Sequence, residues 1–319
     1  MDKLSLILLV GPTAVGKTAL AIQLAERLNG EIISADSRLF YRGMDIGTAK
    51  PTLEERARVA HHLIDKANPD EIWSLAIFQQ RATETIADIH ARRKLPFLVG
   101  GTGQYARAVT EGWSPPEVKP DERLREELEK MKEERGGAWL HAKLRQLDPL
   151  AGEKIDARNV RRTMRALEVI LTTGRPFSQQ RRRKESPYDL LTIGLKRPRA
   201  ELYQRIDERI EAMFEAGFLD EVKKLLKEGY SPDLPTMSAI GYREGIRVVK
   251  GQMSVEQAKA EMRRATRIFV RRQANWFKED DPNIHWFAAG QENVADTIEN
   301  FIRQSLEKNT SPLSKNDPS

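Results

Sequence analysis

The first stretch of this 319-residue chain whose residue types and spacing point to chemistry is GPTAVGKT at 11–18. It fits G-x4-G-K-[ST] and lies between an apolar run and a helix start, the context that pattern requires. Glycines at 11 and 16 permit a tight loop whose backbone N–H groups converge on an anion. The helix N-terminus adds partial positive charge, Lys17 adds a full one, and the Thr18 hydroxyl is a ligand for Mg²⁺. The pattern specifies a phosphorylated ligand held by Gly11, Pro12, Thr13, Ala14, Val15, Gly16, Lys17 and Thr18, and is silent on which ligand. Nucleotide hydrolases with this loop also carry an apolar strand ending in a metal-binding acid. Here the run PFLV at 96–99 leads instead into GGTG at 100–103, which offers backbone N–H groups and the Thr102 hydroxyl. An acid stands elsewhere, in SADS at 34–37, where Asp36 follows a second apolar run. Three roles are open to it: general base, water-mediated Mg²⁺ ligand, or cap of the following segment.

The elements that must position these residues alternate strand and helix. Residues 4–10 read as a buried strand, and 17–28 as a helix with apolar spacing at Leu20, Leu24 and Leu28. Residues 31–35 form a second strand, Ser74 caps a long helix running to about Arg92, and 96–99 form a third strand. Strands separated by helices predict an α/β fold, a parallel sheet with right-handed crossovers and helices on its faces. A proline-rich boundary at 113–120 precedes a charged helix at 121–135 and a basic helix at 158–173 that stops at Gly174. The apolar run 190–195 returns to the sheet. The expected organisation is a core of 1–112 plus 190–307 and a mostly helical insertion at 113–189. Helices are expected at 199–216, 220–228, 254–278 and 293–307, and a strand at 283–287. The Ser, Pro, Asn and Lys-rich tail from 308 is expected to be disordered.

Composition narrows the function further. The chain has no cysteine, which excludes disulfides, thiolate zinc sites and cysteine nucleophiles. His61 and His62 have no third histidine clustered with them, so they do not read as a metal site. No apolar run has the length of a membrane span, and the N-terminus does not read as a signal peptide. A cytoplasmic protein is expected. The formal net charge is only +6, but it is unevenly spread. Residues 154–184 carry a net +8 and residues 263–278 a net +6, leaving the remainder at −8. Two concentrated basic blocks on an otherwise acidic chain suggest a polyanionic partner, whereas a merely solvated helix face would interleave glutamates as 121–135 does.

Together these motifs resemble the tRNA dimethylallyltransferases, also called tRNA isopentenyltransferases. The matching stretches are GPTAVGKT at 11–18, ISADSRLFYRGMDIGTAKP at 33–51, HHLID at 61–65, LVGGTGQY at 98–105, IGYRE at 240–244 and RRQANWF at 271–277. The resemblance implies a P-loop-kinase-like core with a helical insertion that clamps the anticodon stem-loop of tRNA. It implies a monomeric prenyltransferase that moves a dimethylallyl group from its diphosphate to N6 of the adenosine 3′ of the anticodon, at position 37. Asp36 matches the family's catalytic aspartate. Lys17, Thr18 with Mg²⁺, and an arginine would serve the departing diphosphate. Arg205 and Arg209, four apart on one helical face, are the arginine candidates, with a surface ion pair to Asp207 or Glu208 as the alternative. Stretches matching RNA-contacting segments of the family are Asp36, Ser37, Arg38 and Leu39; Arg161, Arg162 and Arg165; and Gly241, Tyr242 and Arg243. Thr102, Arg123, Arg272 and Gln273 join them. Tyr242 and Trp276 are candidates to stack on bases, with a core role as the alternative for the tryptophan. Without cysteine, the zinc finger of some eukaryotic relatives is ruled out. The rival readings are an adenylate isopentenyltransferase, a small-molecule kinase, and an RNA-binding protein with a relic nucleotide site.

Overall fold

Every residue from Leu6 to Val10 is buried, as a strand covered on both faces of a parallel sheet must be. The computed structural model of the chain describes residues 3–112, 121–180 and 185–310. They fall into two units, Met1–Thr110 with Ser186–Ser319, and Glu111–Glu185.

The first unit begins with β1 (Leu4–Val10), α1 (Lys17–Arg27), β2 (Gly30–Ser34), α2 (Leu53–Arg58), β3 (His61–His62), α3 (Leu75–Ala91), β4 (Leu95–Val99) and α4 (Gly103–Thr110). The second holds α5 (Glu122–Arg135), α6 (Gly137–Leu147), α7 (Pro149–Lys154), α8 (Val160–Thr173) and α9 (Phe177–Gln180). The first then resumes with β5 (Tyr188–Lys196), α10 (Arg199–Glu215), α11 (Phe218–Lys227), α12 (Tyr242–Val249), α13 (Val255–Gln273), β6 (Ile284–Ala288) and α14 (Val294–Thr310).

The six strands form one sheet in the order β3-β2-β4-β1-β5-β6, all parallel. β1 therefore lies between β4 and β5, and the chain turns to opposite sides of it. The crevice at the carboxyl ends of strands around such a reversal is where doubly wound sheets bind ligands. The predicted helix to about Arg92 is α3, and the Ser74 Oγ accepts from the Ile77 N–H as the cap requires.

The second unit builds its own core, in which Leu128, Leu140, Leu144, Ala166, Leu167 and Phe177 pack together. The structure adds the short elements α2, β3, α4, α7 and α9, and the helices α6 and α12, to those the sequence pattern predicts. The helix expected to reach 278 ends at Gln273. The tail expected to be disordered from 308 is helical through Thr310. Its remainder, 311–319, the boundary at 113–120 and the basic run at 181–184 lie outside the described residues.

Candidate active site

The loop after β1 carries its backbone in unusual conformations. Gly11 has φ +150°, and a Cβ there would sit 2.6 Å from the Leu195 carbonyl oxygen on β5. Ala14, which has a Cβ, is held at φ +67°, the kind of local strain that accumulates where backbone must face a ligand. Three side chains from distant parts of the chain fix this loop. Arg205 Nε donates to the Ala14 carbonyl at 2.8 Å, and Arg197 Nε donates to the Val15 carbonyl at 3.0 Å. Gln273 Oε1 accepts from the Thr13 N–H at 2.8 Å and from its hydroxyl at 3.1 Å. Two loop carbonyls that would repel a phosphate are thereby occupied by cations.

Lys17 Nζ donates to the Gly11 and Pro12 carbonyls at 3.0 and 2.8 Å. Burial pushes its ammonium down to about 8, opposed by the charge of Asp36 and assisted by that of Arg209. The opposing effect places Asp36 within electrostatic reach of both cations, since it also acts on Arg209. Thr18 is exposed in the first turn of α1, and its hydroxyl has no hydrogen-bond partner among the described residues. A hard hydroxyl oxygen at the mouth of an anion loop suits Mg²⁺, which typically takes one or two protein ligands and completes its shell with phosphate oxygens and water. Among the described residues no group of three His, Cys, Asp or Glu side chains forms a separate metal cage.

Asp36 lies just past the carboxyl end of β2. Its Oδ1 accepts from the Arg38 N–H at 3.0 Å, an Asx turn, so the capping role is present. Its Oδ2 has no hydrogen-bond partner among the described residues, which leaves the base role available alongside the cap. Ser37, Arg38 and Leu39 are half-buried beside it. Tyr105 on α4 senses the charges of Arg38 and Asp36, and its hydroxyl is pushed up to about 12, chiefly by burial. Thr102 is half-buried at the start of α4.

The surface ion pair considered for Arg205 and Arg209 does not form. Asp207 pairs with Arg263 and Arg267 of α13, and Glu208 accepts from Gln204. Arg205 instead reaches the phosphate loop, and Arg209 Nη2 donates to the Thr48 carbonyl at 3.2 Å. Burial lowers the pKa of Arg209, with Asp36 opposing the shift.

Several residues expected to contact RNA are engaged within the chain. Tyr242 is fully buried and donates to Glu221 Oε1 at 2.6 Å, so its ring is core and not a stacking platform. Gly241, also buried, caps α12 by donating to Glu244 Oε2. Arg243 is half-exposed, but its guanidinium chelates the buried Glu244. Gln273 is 6% exposed and faces inward, where its Nε2 donates to the Gly101 carbonyl at 3.1 Å. Trp276 packs over Gly103, where a Cβ would meet its ring at 2.3 Å, and its carbonyl accepts from Arg107 Nη2. Arg272 is exposed and has no ion-pair partner among the described residues.

In the helical unit, Arg123, Arg161 and Arg162 are exposed and have no ion-pair partner among the described residues. Arg165 is different: with Arg125 it neutralises Glu168, which is 1% exposed. Arg197 and Arg107 take part through tertiary placement, which no local sequence pattern marks.

A family model described as IPP transferase matches residues 39–280, and one described as isopentenyl transferase matches residues 4–72. The chain belongs to the IPP transferase family. The tRNA dimethylallyltransferase of Roseiflexus sp. is 51% identical over 302 residues, spanning 95% of this chain and 99% of the relative. That of Thermomicrobium roseum is 45% identical, with 94% and 91% covered. Among solved structures, the full-length tRNA isopentenylpyrophosphate transferase from Bacillus halodurans matches at TM-score 0.72 and 44% identity, covering 96% of this chain and 98% of that one. A eukaryotic dimethylallyltransferase acting on tRNA matches at TM-score 0.81 and 26% identity, covering 99% and 82%. As in other IPP transferases, the expected parallel sheet with flanking helices is the fold. Among the described residues no helix is long and apolar enough to cross a membrane.

Proposed function

We propose that this IPP transferase family member moves the dimethylallyl group of dimethylallyl diphosphate to N6 of the adenosine 3′ of the anticodon in tRNA, position 37, releasing diphosphate. The observation that carries this reading is the free Oδ2 of Asp36 within the field of Lys17 and Arg209, two cations at the phosphate loop. The allylic C1–O bond breaks as the amine attacks, and negative charge grows on the diphosphate. Groups that bind that charge more tightly than the ground state lower the barrier. The loop N–H groups not already engaged, Lys17 and Arg209 fill this role, while Arg205 stiffens the loop through Ala14. The exocyclic amine of adenine is conjugated into the ring and weakly nucleophilic, so Asp36 orients it and takes its proton as the new C–N bond forms. Mg²⁺ held by the Thr18 hydroxyl would supply further positive charge to the diphosphate.

The target base has to leave its stack, and Asp36, Ser37, Arg38, Leu39 and Thr102 are read as the residues that receive it. The helical unit is read as the arm that grips the anticodon stem, through Arg123, Arg161 and Arg162, with Arg272 contributing from the sheet unit. The protein is read as a cytoplasmic monomer.

One experiment tests the assignment. The protein is incubated with Mg²⁺ and labelled dimethylallyl diphosphate, and offered unmodified tRNA or free AMP in turn. Label entering tRNA only where an adenosine follows the anticodon supports the proposal. Label entering AMP supports an adenylate isopentenyltransferase, and no transfer ends both readings.

A further inference from the structure

Glu221 on α11 is a carboxylate for which the proposed reaction has no use, yet its acceptor capacity is heavily committed. Its Oε2 accepts from the Asp45 N–H at 2.9 Å and the Ile46 N–H at 2.7 Å. Its Oε1 accepts from the Gly47 N–H at 3.1 Å and from the Tyr242 hydroxyl at 2.6 Å. Four donors match the lone-pair capacity of one carboxylate. The turn is pressed close: a Cβ on Gly47 would lie 2.6 Å from the rings of both Phe218 and Tyr242. Lys50, with 3% of its side chain exposed, closes the other end through the Tyr41 carbonyl, Asp45 and Asp65.

The next residue along this turn connects it to the chemistry. The Thr48 carbonyl is the one hydrogen-bond partner of Arg209 among the described residues. A guanidinium has five N–H donors, so most of those on Arg209 remain for an anion, and the Thr48 bond sets the direction in which they point. That direction is only as fixed as the backbone at 45–48, which Glu221 holds by three consecutive N–H groups. We propose that Glu221 is a positioning residue for the transfer reaction, holding the 45–48 turn so that the Thr48 carbonyl aims Arg209 at the departing diphosphate. This rests on the function proposed above.

Glu221→Gln keeps the shape and replaces one acceptor oxygen by an NH₂ that faces donors, so the turn loses its grip at one end. A misplacement of about 1 Å in a catalytic group costs on the order of 100-fold in rate. The test is a double-mutant cycle on the full chain, measuring kcat and KM for transfer to tRNA in wild type, Glu221→Gln, Arg209→Ala and the combination. The expected result is a loss of roughly 10- to 100-fold in kcat for Glu221→Gln, with KM for tRNA within about 3-fold of wild type. In the Arg209→Ala background the same change is expected to add less than about 3-fold, because its route to the diphosphate is already gone. Losses that multiply in full, wild-type turnover in either single variant, or an effect confined to KM for tRNA would overturn the proposal. Glu221→Asp, which keeps the charge on a shorter side chain, replaces Gln in the cycle if the Gln variant does not fold. Failure of both to fold makes Glu221 a purely structural anchor and also overturns it. A wild-type protein that transfers nothing to tRNA instead removes the functional reading, a result distinct from any pattern among the variants.

Discussion

With its ammonium lowered to about 8 by burial, Lys17 makes the ligand-free fold prefer the neutral amine more than the unfolded chain does. Between about pH 8 and the ordinary lysine value, the unfolded chain binds more protons, so stability of the free protein rises with pH across that window. Below it the desolvation penalty is fully present. Lys17→Met is therefore expected to raise the thermal midpoint of the ligand-free protein at pH 7, by about 5 °C, while dimethylallyl transfer collapses. Calorimetry without diphosphate checks the first half and a single-turnover assay the second. The same titration has a binding consequence: affinity for diphosphate falls as pH rises through about 8, where the free protein loses the Lys17 charge. Because Asp36 raises the Lys17 pKa, Asp36→Asn should move this limb to lower pH, seen by titrating diphosphate binding against pH. The same variant should lose roughly 10²- to 10⁴-fold in kcat, the usual worth of a general base, with tRNA affinity near normal. Turnover close to wild type in Asp36→Asn would show that the carboxylate only caps its turn.

The strands and long helices were legible because each carries its own physical signature. β1 is apolar on both faces, and α3 has a serine cap followed by an amphipathic period. β3, with two residues, and α2, with six, are too short to display a period. The overrun of α13 has a different cause. Its helical pattern continues past Gln273, but the chain leaves the helix there through a turn closed by the Trp276 N–H on the Gln273 carbonyl. The Gln273 side chain is drawn instead to Thr13 and Gly101, contacts across 260 and 172 residues that no local pattern encodes. This amide joins the phosphate loop to the loop after β4, which gives the glycine at 101 a function. A Cβ there would come within 2.3 Å of Gln273 Nε2, the mobile end of a side chain that must then swing away. Gly101→Ala should therefore fold normally and weaken diphosphate binding about 10-fold, the worth of one or two hydrogen bonds holding the loop. Gln273→Ala should produce a similar loss, and combining the two should add little, as measured by calorimetric titration.

At the scale of the whole chain, counting charge along the sequence located the basic blocks but not which of their members are free to meet a polyanion. Some of the acids that consume them stand within the block itself, and others lie on a neighbouring helix, where linear counting cannot see them. Arg263 and Arg267 are held by Asp207 and Glu211 of α10, Arg158 by Asp156, and Arg165 by the buried Glu168. Arg123, Arg161, Arg162 and Arg175 in the helical unit, and Arg264, Arg271 and Arg272 in the sheet unit, have no ion-pair partner among the described residues and are exposed. The two groups of arginines should behave differently on substitution. Each phosphate contact removed lowers the slope of log affinity against log salt by about 0.7–0.9. Arg161→Ala with Arg162→Ala is thus expected to flatten the salt dependence of tRNA binding by roughly 1.5, with no change in the thermal midpoint. Arg165→Ala should leave the slope alone and lower stability by a few kcal/mol, because Glu168 stays buried with Arg125 as its remaining guanidinium partner among the described residues. Filter binding between low and moderate salt, beside thermal melts of the same variants, separates these outcomes. An unchanged slope in the Arg161, Arg162 variant would remove this face of α8 from the tRNA-binding surface, and a flattened slope in Arg165→Ala would return that residue to it.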